Sequence, residues 1–239
     1  MLADNPETNS YVGALRPDVH KPATFRNELF EFIVDQLPRW RDRTDRPRVT
    51  SETSLTSQLC AHLNSAARNS AGWDVLQFRV EEPDEKYKGR KIDLIPAPSG
   101  AAICIEGRRH TDFESIMPIE CKRFPTPKDK DRDEREYVIS RYSSIGGIQR
   151  FKACHHGANH DLAAMIGYVQ EKTTIFWDGR VSEWIGNLVK TNALGWTAKD
   201  LLHPTSTDSK LRVAMFQSIH ERDNSLPDIQ LRHIWIEMN

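Results

Sequence analysis

The chain has 239 residues, 28% charged and 38% apolar, and a formal net charge of −1, which is enough for one sizeable α/β domain or two small ones. A charge this close to zero supplies no global field to draw the molecule to nucleic acid, so such a partner needs a local basic groove. The cysteines Cys60, Cys104, Cys121 and Cys154 form no Cys-x-x-Cys pair, which argues against a zinc ribbon or disulfide scaffold and fits a reducing cytoplasm. The polar start MLADNPETNS is no secretion signal, and no apolar run reaches the roughly 20 residues of a membrane helix.

Residues 1–21 read as a lead-in. From Thr24 the pattern turns helical, with Phe25, Leu29, Phe32, Ile33 and Leu37 on one face. Thr24 is the expected N-cap and Pro38 the expected stop. A connector from Arg39 to Arg48 follows. Together these form an N-terminal helical extension over 1–49, ahead of a main domain over 50–239. Arg39, Arg41, Arg43, Arg46 and Arg48 either grip a nucleic-acid backbone or solvate a linker. A second helix begins at Thr50 or Ser51 and turns Leu55, Leu59, Leu63 and Ala66 inward. Glu52 lies on that same face. An acid there serves the helix dipole or belongs to a site.

Strand-like runs come next. The first is Trp73 to Val80, followed by a polar turn from Glu81 to Gly89. Lys91 to Ile95 is the second, closed by Pro96-Ala97-Pro98. Ala101 to Glu106 is a third, and Ile116 to Phe124 a fourth. In the fourth, Met117, Ile119 and Cys121 share one face, while Glu120 and Lys122 share the other. The stretch KDKDRDERE at 128–136 nearly cancels in charge and reads as a solvated loop or helix start. A helix is expected from about Glu134 to Cys154, with a break at Gly146-Gly147. Leu162 to Val169 suits a buried strand. Trp177, Val181, Trp184, Ile185 and Leu188 repeat at helical spacing over Phe176 to Val189, which places these tryptophans in the core. Leu211 to Ile219 and Ile229 to Met238 are the last strands, joined by a turn containing Asn224 and Pro227.

Strand alternation brings Glu120 and Lys122 together, and an adjacent strand can set Asp93 beside them. Two carboxylates and an ammonium at one point make a site for a hard divalent cation and an activated water. The plainer account is a surface salt-bridge network at a sheet edge, worth little energetically.

The order of elements is a helix with Glu52, a strand, a strand with Asp93, a strand with Glu120-Cys121-Lys122, a helix and a strand. It resembles the PD-(D/E)xK nuclease superfamily, over roughly Ser51 to Val169. The resemblance implies an α/β, restriction-endonuclease-like fold, a mixed central sheet flanked by helices. It further implies that Asp93 and Glu120 ligate Mg²⁺, with Mn²⁺ able to substitute, joined by the backbone carbonyl of Cys121. Lys122 would orient or help deprotonate the attacking water, and Glu52 would be the auxiliary helix acid. Ile92 stands where the family has Pro. A literal Pro83-Asp84 lies in the polar turn and reads as a decoy. Gln149 opens a Gln-x-x-x-Tyr signature of some groups, but Ala153 fills the Tyr position. Arg90, Arg123, Gln149 and Arg150 are the candidate nucleic-acid contacts.

The implied function is a Mg-dependent DNA endonuclease of the cytoplasm. It would work with a partner protein such as an ATPase or sensor, in a setting such as bacterial antiviral defence. The alternative is a catalytically silent binding or scaffolding subunit of the same fold. Cys154, His155, His156 and His160 form a rival zinc candidate, against the simpler reading of histidines near a helix end. His220, Arg222 and His233 are expected on the terminal strands, facing solvent or touching phosphate.

Overall fold

The computed structural model describes residues 24–86, 89–141, 146–191, 193–222 and 226–239. The expected lead-in at 1–21 and the turn residue Asn224 lie outside them. Helix α1 (Thr24–Arg41) runs through Pro38, where the sequence predicts a stop. An interior proline costs about 3 kcal/mol in lost bonding and ring clash. Contacts beyond it offset that cost: Leu37 and Trp40 are buried, and Arg41 Nη1 donates to Leu211 O at 2.7 Å. Helix α2 (Glu52–Arg68) starts as predicted, because Ser51 Oγ accepts the Ser54 amide at 3.2 Å. Its Leu55, Leu59 and Leu63 are fully buried.

Strand β1 (Leu76–Pro83) pairs antiparallel with β2 (Lys91–Pro98). Both depart from expectation. Trp73 belongs to a turn, its carbonyl accepting the Leu76 amide at 2.9 Å, so β1 starts later and runs on to Pro83. β2 does not close at Pro96. Successive residues of an antiparallel strand turn their backbone groups to alternate neighbours. Ser99 faces β1, donating to Val75 O at 2.8 Å. Pro96 and Pro98 therefore face the other side, where the next ladder has ended and no strand needs their missing N–H. The Pro96 carbonyl takes the Ile116 amide at 2.9 Å.

Strands β3 (Ile103–Ile105) and β4 (Arg108–His110) make a separate hairpin. β4 was hidden in the sequence because Arg-Arg-His has no apolar alternation. Strand β5 (Ile119–Phe124) is followed by turns over residues 134–138 where a helix is expected. Only α3 (Gly147–Lys152) is helical. The chain folds back so that the carbonyls of Glu136, Tyr137 and Val138 accept the amides of Gly147, Ile148 and Gln149, at 2.7, 3.0 and 3.0 Å. These are donors that a helix start leaves without partners. A Cβ on Gly146 would lie 2.2 Å from Ile139 Cα, so only glycine admits this close passage.

Strand β6 (Leu162–Val169) is buried at every position, as predicted. Helix α4 (Thr174–Lys190) buries Trp177 and Trp184 in the core, also as predicted. Strands β7 (His203–Asp208), β8 (Val213–His220) and β9 (Ile229–Glu237) finish the chain. β7 went unseen in the sequence because HPTSTD is exposed throughout and carries no apolar face.

The main sheet has seven strands in the order β1-β2-β5-β6-β9-β8-β7. β5, β6 and β9 run parallel, and the other pairs are antiparallel. The protein is thus α/β, with a mixed central sheet flanked by helices. Helices α1 and α2 cover one face, packing with Leu94, Ile119, Cys121, Ile166 and Ile234. Helices α3 and α4 cover the other, packing with Phe124, Met165, Leu231 and Trp235. No helix among the described residues is long and apolar enough to cross a membrane.

Candidate active site

The seam between β2 and β5 organises the site. Their ladder holds a single register pair, Leu94↔Ile119. One residue earlier on β2, Asp93 sends its carboxylate across the gap, and Oδ2 accepts the Cys121 amide at 2.8 Å. A side chain thus supplies the acceptor that the diverging backbone no longer offers. Alternation along β5 sends Cys121 into the core shared with α2, and Glu120 and Lys122 the other way.

The Lys122 ammonium then stands among oxygens from three elements. It lies 2.9 Å from Glu120 Oε1, 3.0 Å from Glu52 Oε1, 3.0 Å from Cys121 O and 3.8 Å from Asp93 Oδ2. Glu52 is brought in by the first turn of α2, where its Oε2 also accepts the Arg123 amide at 3.2 Å. Arg123 Nη1 donates to Thr50 O at 2.7 Å, pinning β5 to the start of that helix. The structure therefore brings Asp93, Glu120, Lys122 and Glu52 to one point.

The charges there are strongly perturbed. Glu120 has no exposed surface. Burial alone would raise its pKa, but Lys122, Arg150 and His156 hold it well below the usual carboxylate range. Burial would likewise discharge Lys122, yet Glu120, Asp93 and Glu52 hold it above its ordinary value. Asp93 moves the other way: burial, then the Glu120 charge, push it up to about 7 against the opposing pull of Lys122. One carboxyl is firmly ionised while its neighbour titrates near neutrality. Such divergent pairs concentrate at functional sites.

The other candidate residues lie around this cluster or apart from it. Arg150 Nη1 binds Glu120 Oε1 at 2.5 Å. His156, read with a zinc cluster, brings Nδ1 to 3.3 Å from Glu120 Oε2, without hydrogen-bond geometry at either atom. His160 Nε2 instead faces Glu85 Oε1 at 3.4 Å, so the histidines are divided between two acids. Among the described residues, no group of three or more His, Cys, Asp or Glu is arranged to hold a metal ion. At Asp93, Glu120 and Glu52 the Lys122 ammonium is what the acids share. Gln149 caps α3, its Oε1 accepting the Gly146 amide at 3.3 Å. The Arg90 carbonyl accepts the Asp84 amide at 2.9 Å. Asp84 is buried in its turn, and its Oδ1 accepts the Lys86 amide at 2.9 Å.

Asp93 and Glu52 border a groove of about 210 Å³, shared with Thr53, Ser57 and Glu81. Glu81 had no signal in the sequence. It lies across the ladder from Asp93, between the pairs Val80↔Leu94 and Glu82↔Ile92, with φ at 53°. A left-handed non-glycine residue inside a strand is a strained feature of the kind that gathers at functional sites.

His220 and His233 are fully buried, not solvent-facing. They belong to interior strands under α4, where polar groups must satisfy one another. His220 Nε2 meets Ser218 Oγ at 2.6 Å, Ser218 Oγ meets His233 Nε2 at 2.8 Å, and His233 Nδ1 meets Tyr137 OH at 2.8 Å. Asp200 closes the row on His220 Nδ1. Asp, His and Ser in this order share the connectivity of a nucleophile triad, but Ser218 has no exposed surface to meet a substrate. Arg222 donates to the carbonyls of Pro227 and Gly157, at 2.6 and 3.1 Å.

No family model matches this chain, and no curated protein or solved structure matches it either.

Proposed function

We propose that the chain is a divalent-cation-dependent nuclease that hydrolyses phosphodiester bonds in DNA, on a restriction-endonuclease-like arrangement of its mixed sheet. The observation that carries this reading is the meeting of Lys122 with Glu52, Asp93 and Glu120 beside an open groove. The donor set suits a hard cation, being oxygen throughout. Glu120 Oε2 is buried and makes no hydrogen bond of good geometry, with His156 Nδ1 beside it at 3.3 Å. Asp93, Glu120 and the Cys121 carbonyl would hold Mg²⁺, or Mn²⁺ in its place, with Glu52 alongside. Bound there, the ion would neutralise charge building on the phosphate and acidify its own water.

The remaining work falls to the chain's own groups. Its acidic neighbours keep Lys122 charged, so it acts as a donor that orients water or phosphate rather than as a base. Arg150 holds Glu120 in place through Oε1. Glu52 Oε1, 3.0 Å away, helps to hold the ammonium. With a near-neutral chain, targeting is assigned to a partner protein such as an ATPase or sensor.

A second reading, a catalytically silent subunit of the same fold, draws on one observation: Lys122 and Arg150 already satisfy much of Glu52 and Glu120. A supercoiled-plasmid assay separates the two. Nicking with Mg²⁺ or Mn²⁺ that disappears in EDTA and in Lys122→Ala supports the nuclease. Strand binding without nicking, under every metal and partner tried, leaves the silent subunit.

A further inference from the structure

Helix α2 has an unusual outer face. Between Glu52 and Arg68 it carries no charged side chain. Thr53, Ser57 and Ala61, which stack on its exposed side, are small and uncharged. A helix surface turned to water ordinarily carries charge. This bare face leads from the groove beside Asp93 to a second cavity of about 310 Å³, whose walls include Trp40, Arg43, Asp45, Arg46, Gln58 and His62.

Three polar atoms of that cavity's walls are shielded from solvent and lack a hydrogen-bond partner among the described residues. They are Trp40 Nε1 and both ring nitrogens of His62, and Trp40 itself is only 1% exposed. Buried polar groups in folded proteins are nearly always partnered, and an exception calls for a missing ligand, ion or water. Positive charge is in surplus here. Arg46 lies over the Trp40 ring at 5.2 Å and, among the described residues, bonds neutral oxygens, Arg41 O at 3.2 Å and Gln58 Oε1 at 3.4 Å. Burial and the neighbouring Arg48 and Arg41 pull its pKa below the ordinary value. Asp45, the acid of the cavity, is taken up by Arg43 at 2.5 Å.

We propose that this cavity seats a phosphate group of the strand cut at the nuclease site, with the strand lying across the bare face of α2. The inference rests on the nuclease reading and names where its substrate is held. Arg46 supplies the charge, while Trp40 Nε1 and one His62 N–H supply directed donors. From Glu52 to His62 the helix rises about 15 Å, the distance the strand would cover between the two sites. The small side chains between let the sugar–phosphate chain approach closely.

The test reads binding apart from cutting. In EDTA, a fluorescein-labelled single-stranded DNA is titrated with protein and followed by anisotropy, with RNA of the same sequence alongside. Ala61→Glu puts a carboxylate on the exposed face without entering the core, and should weaken binding roughly tenfold. Arg46→Ala should weaken it similarly and lower the salt slope by about one. Ala61→Lys should tighten it. Unchanged affinity in both Ala61→Glu and Arg46→Ala overturns the proposal, as does a parent protein that binds neither strand. With metal present, the weakened variants should show a raised KM. Cutting with unaltered KM sinks this site and leaves the nuclease standing. Binding that depends on Arg46 and Ala61, with no cutting under any metal, sinks the nuclease alone.

Discussion

Replacing Asp93 with asparagine should make the protein more stable while abolishing the proposed cleavage. The Asp93 carboxyl has an ordinary value of 3.8 and is pushed up to about 7 in the fold, by burial and by Glu120. Below pH 3.8 both folded and unfolded chains hold the proton, and the residue is energetically silent. As pH rises from 3.8 to about 7 the unfolded chain ionises first, so stability is lost through that window and levels off above it. About three pH units at about 1.36 kcal/mol each give a loss of about 4 kcal/mol. With 27% of the side chain exposed, solvent screens part of this, and a loss of about 2–3 kcal/mol is expected. Asparagine keeps an oxygen for the Cys121 amide and removes the charge. Asp93→Asn should therefore exceed the parent by that amount at pH 8 and nearly equal it at pH 4. Urea unfolding in EDTA at the two pH values measures the difference as a midpoint shift at constant slope. A variant less stable than its parent at pH 8 would mean that Lys122 outweighs burial and Glu120, and the electrostatic account would fail.

Other perturbations should separate the site from its scaffold. Lys122→Ala leaves Glu120 buried beside Arg150 with two acids nearby, and should cost about 3–5 kcal/mol in urea unfolding; a smaller loss than a surface pair gives would show the ammonium to be dispensable. Mg²⁺ at ten times its dissociation constant should stabilise the parent by about 1.4 kcal/mol and leave Asp93→Asn unmoved, and a melting temperature flat in both Mg²⁺ and Mn²⁺ would remove the cation. Asp84→Ala should lose about 1–2 kcal/mol with the Lys86 amide contact and still cut plasmid; abolished nicking would move the site to Pro83-Asp84. Ser218→Ala breaks two buried hydrogen bonds and should cost about 2–3 kcal/mol without touching cleavage. Ester hydrolysis by the parent that vanishes in Ser218→Ala would instead make the row a working triad.

Much of the architecture could be read from residue patterns, and the failures have local causes. Helix α2, strand β6 and helix α4 were legible because each carries one unmixed signal: a cap with spaced leucines, an unbroken apolar run, and tryptophans at helical spacing. Glu120 and Lys122 were legible through alternation alone. The approach of Asp93 and Glu52 needed the order of elements, since nothing local says that β2 lies beside β5. Pro38 and Pro96 misled because the harm a proline does depends on what its nitrogen would face. Gly146 and Gly147 read as a helix break, yet their role is to let residues 136–139 pass close by. β4 and β7 are polar and take their form from a neighbouring strand. His156, Glu81 and the buried histidines of β8 and β9 are placed wholly by long-range packing, which no window of sequence contains.

β2 and β5 share one ladder pair, with the Pro96–Ile116 and Asp93–Cys121 bonds beside it, so few bonds join the sheet at its most charged point. Asp93 travels with the β1–β2 hairpin. Glu120 and Lys122 travel with the parallel block of β5, β6 and β9, whose register is continuous. A slight swing of the hairpin would change the span between Asp93 and Glu120 by giving up the Asp93–Cys121 bond, and would leave the rungs of both blocks intact. If the site holds a divalent cation as proposed, the spacing of its two carboxylates would be set at this joint rather than within either block.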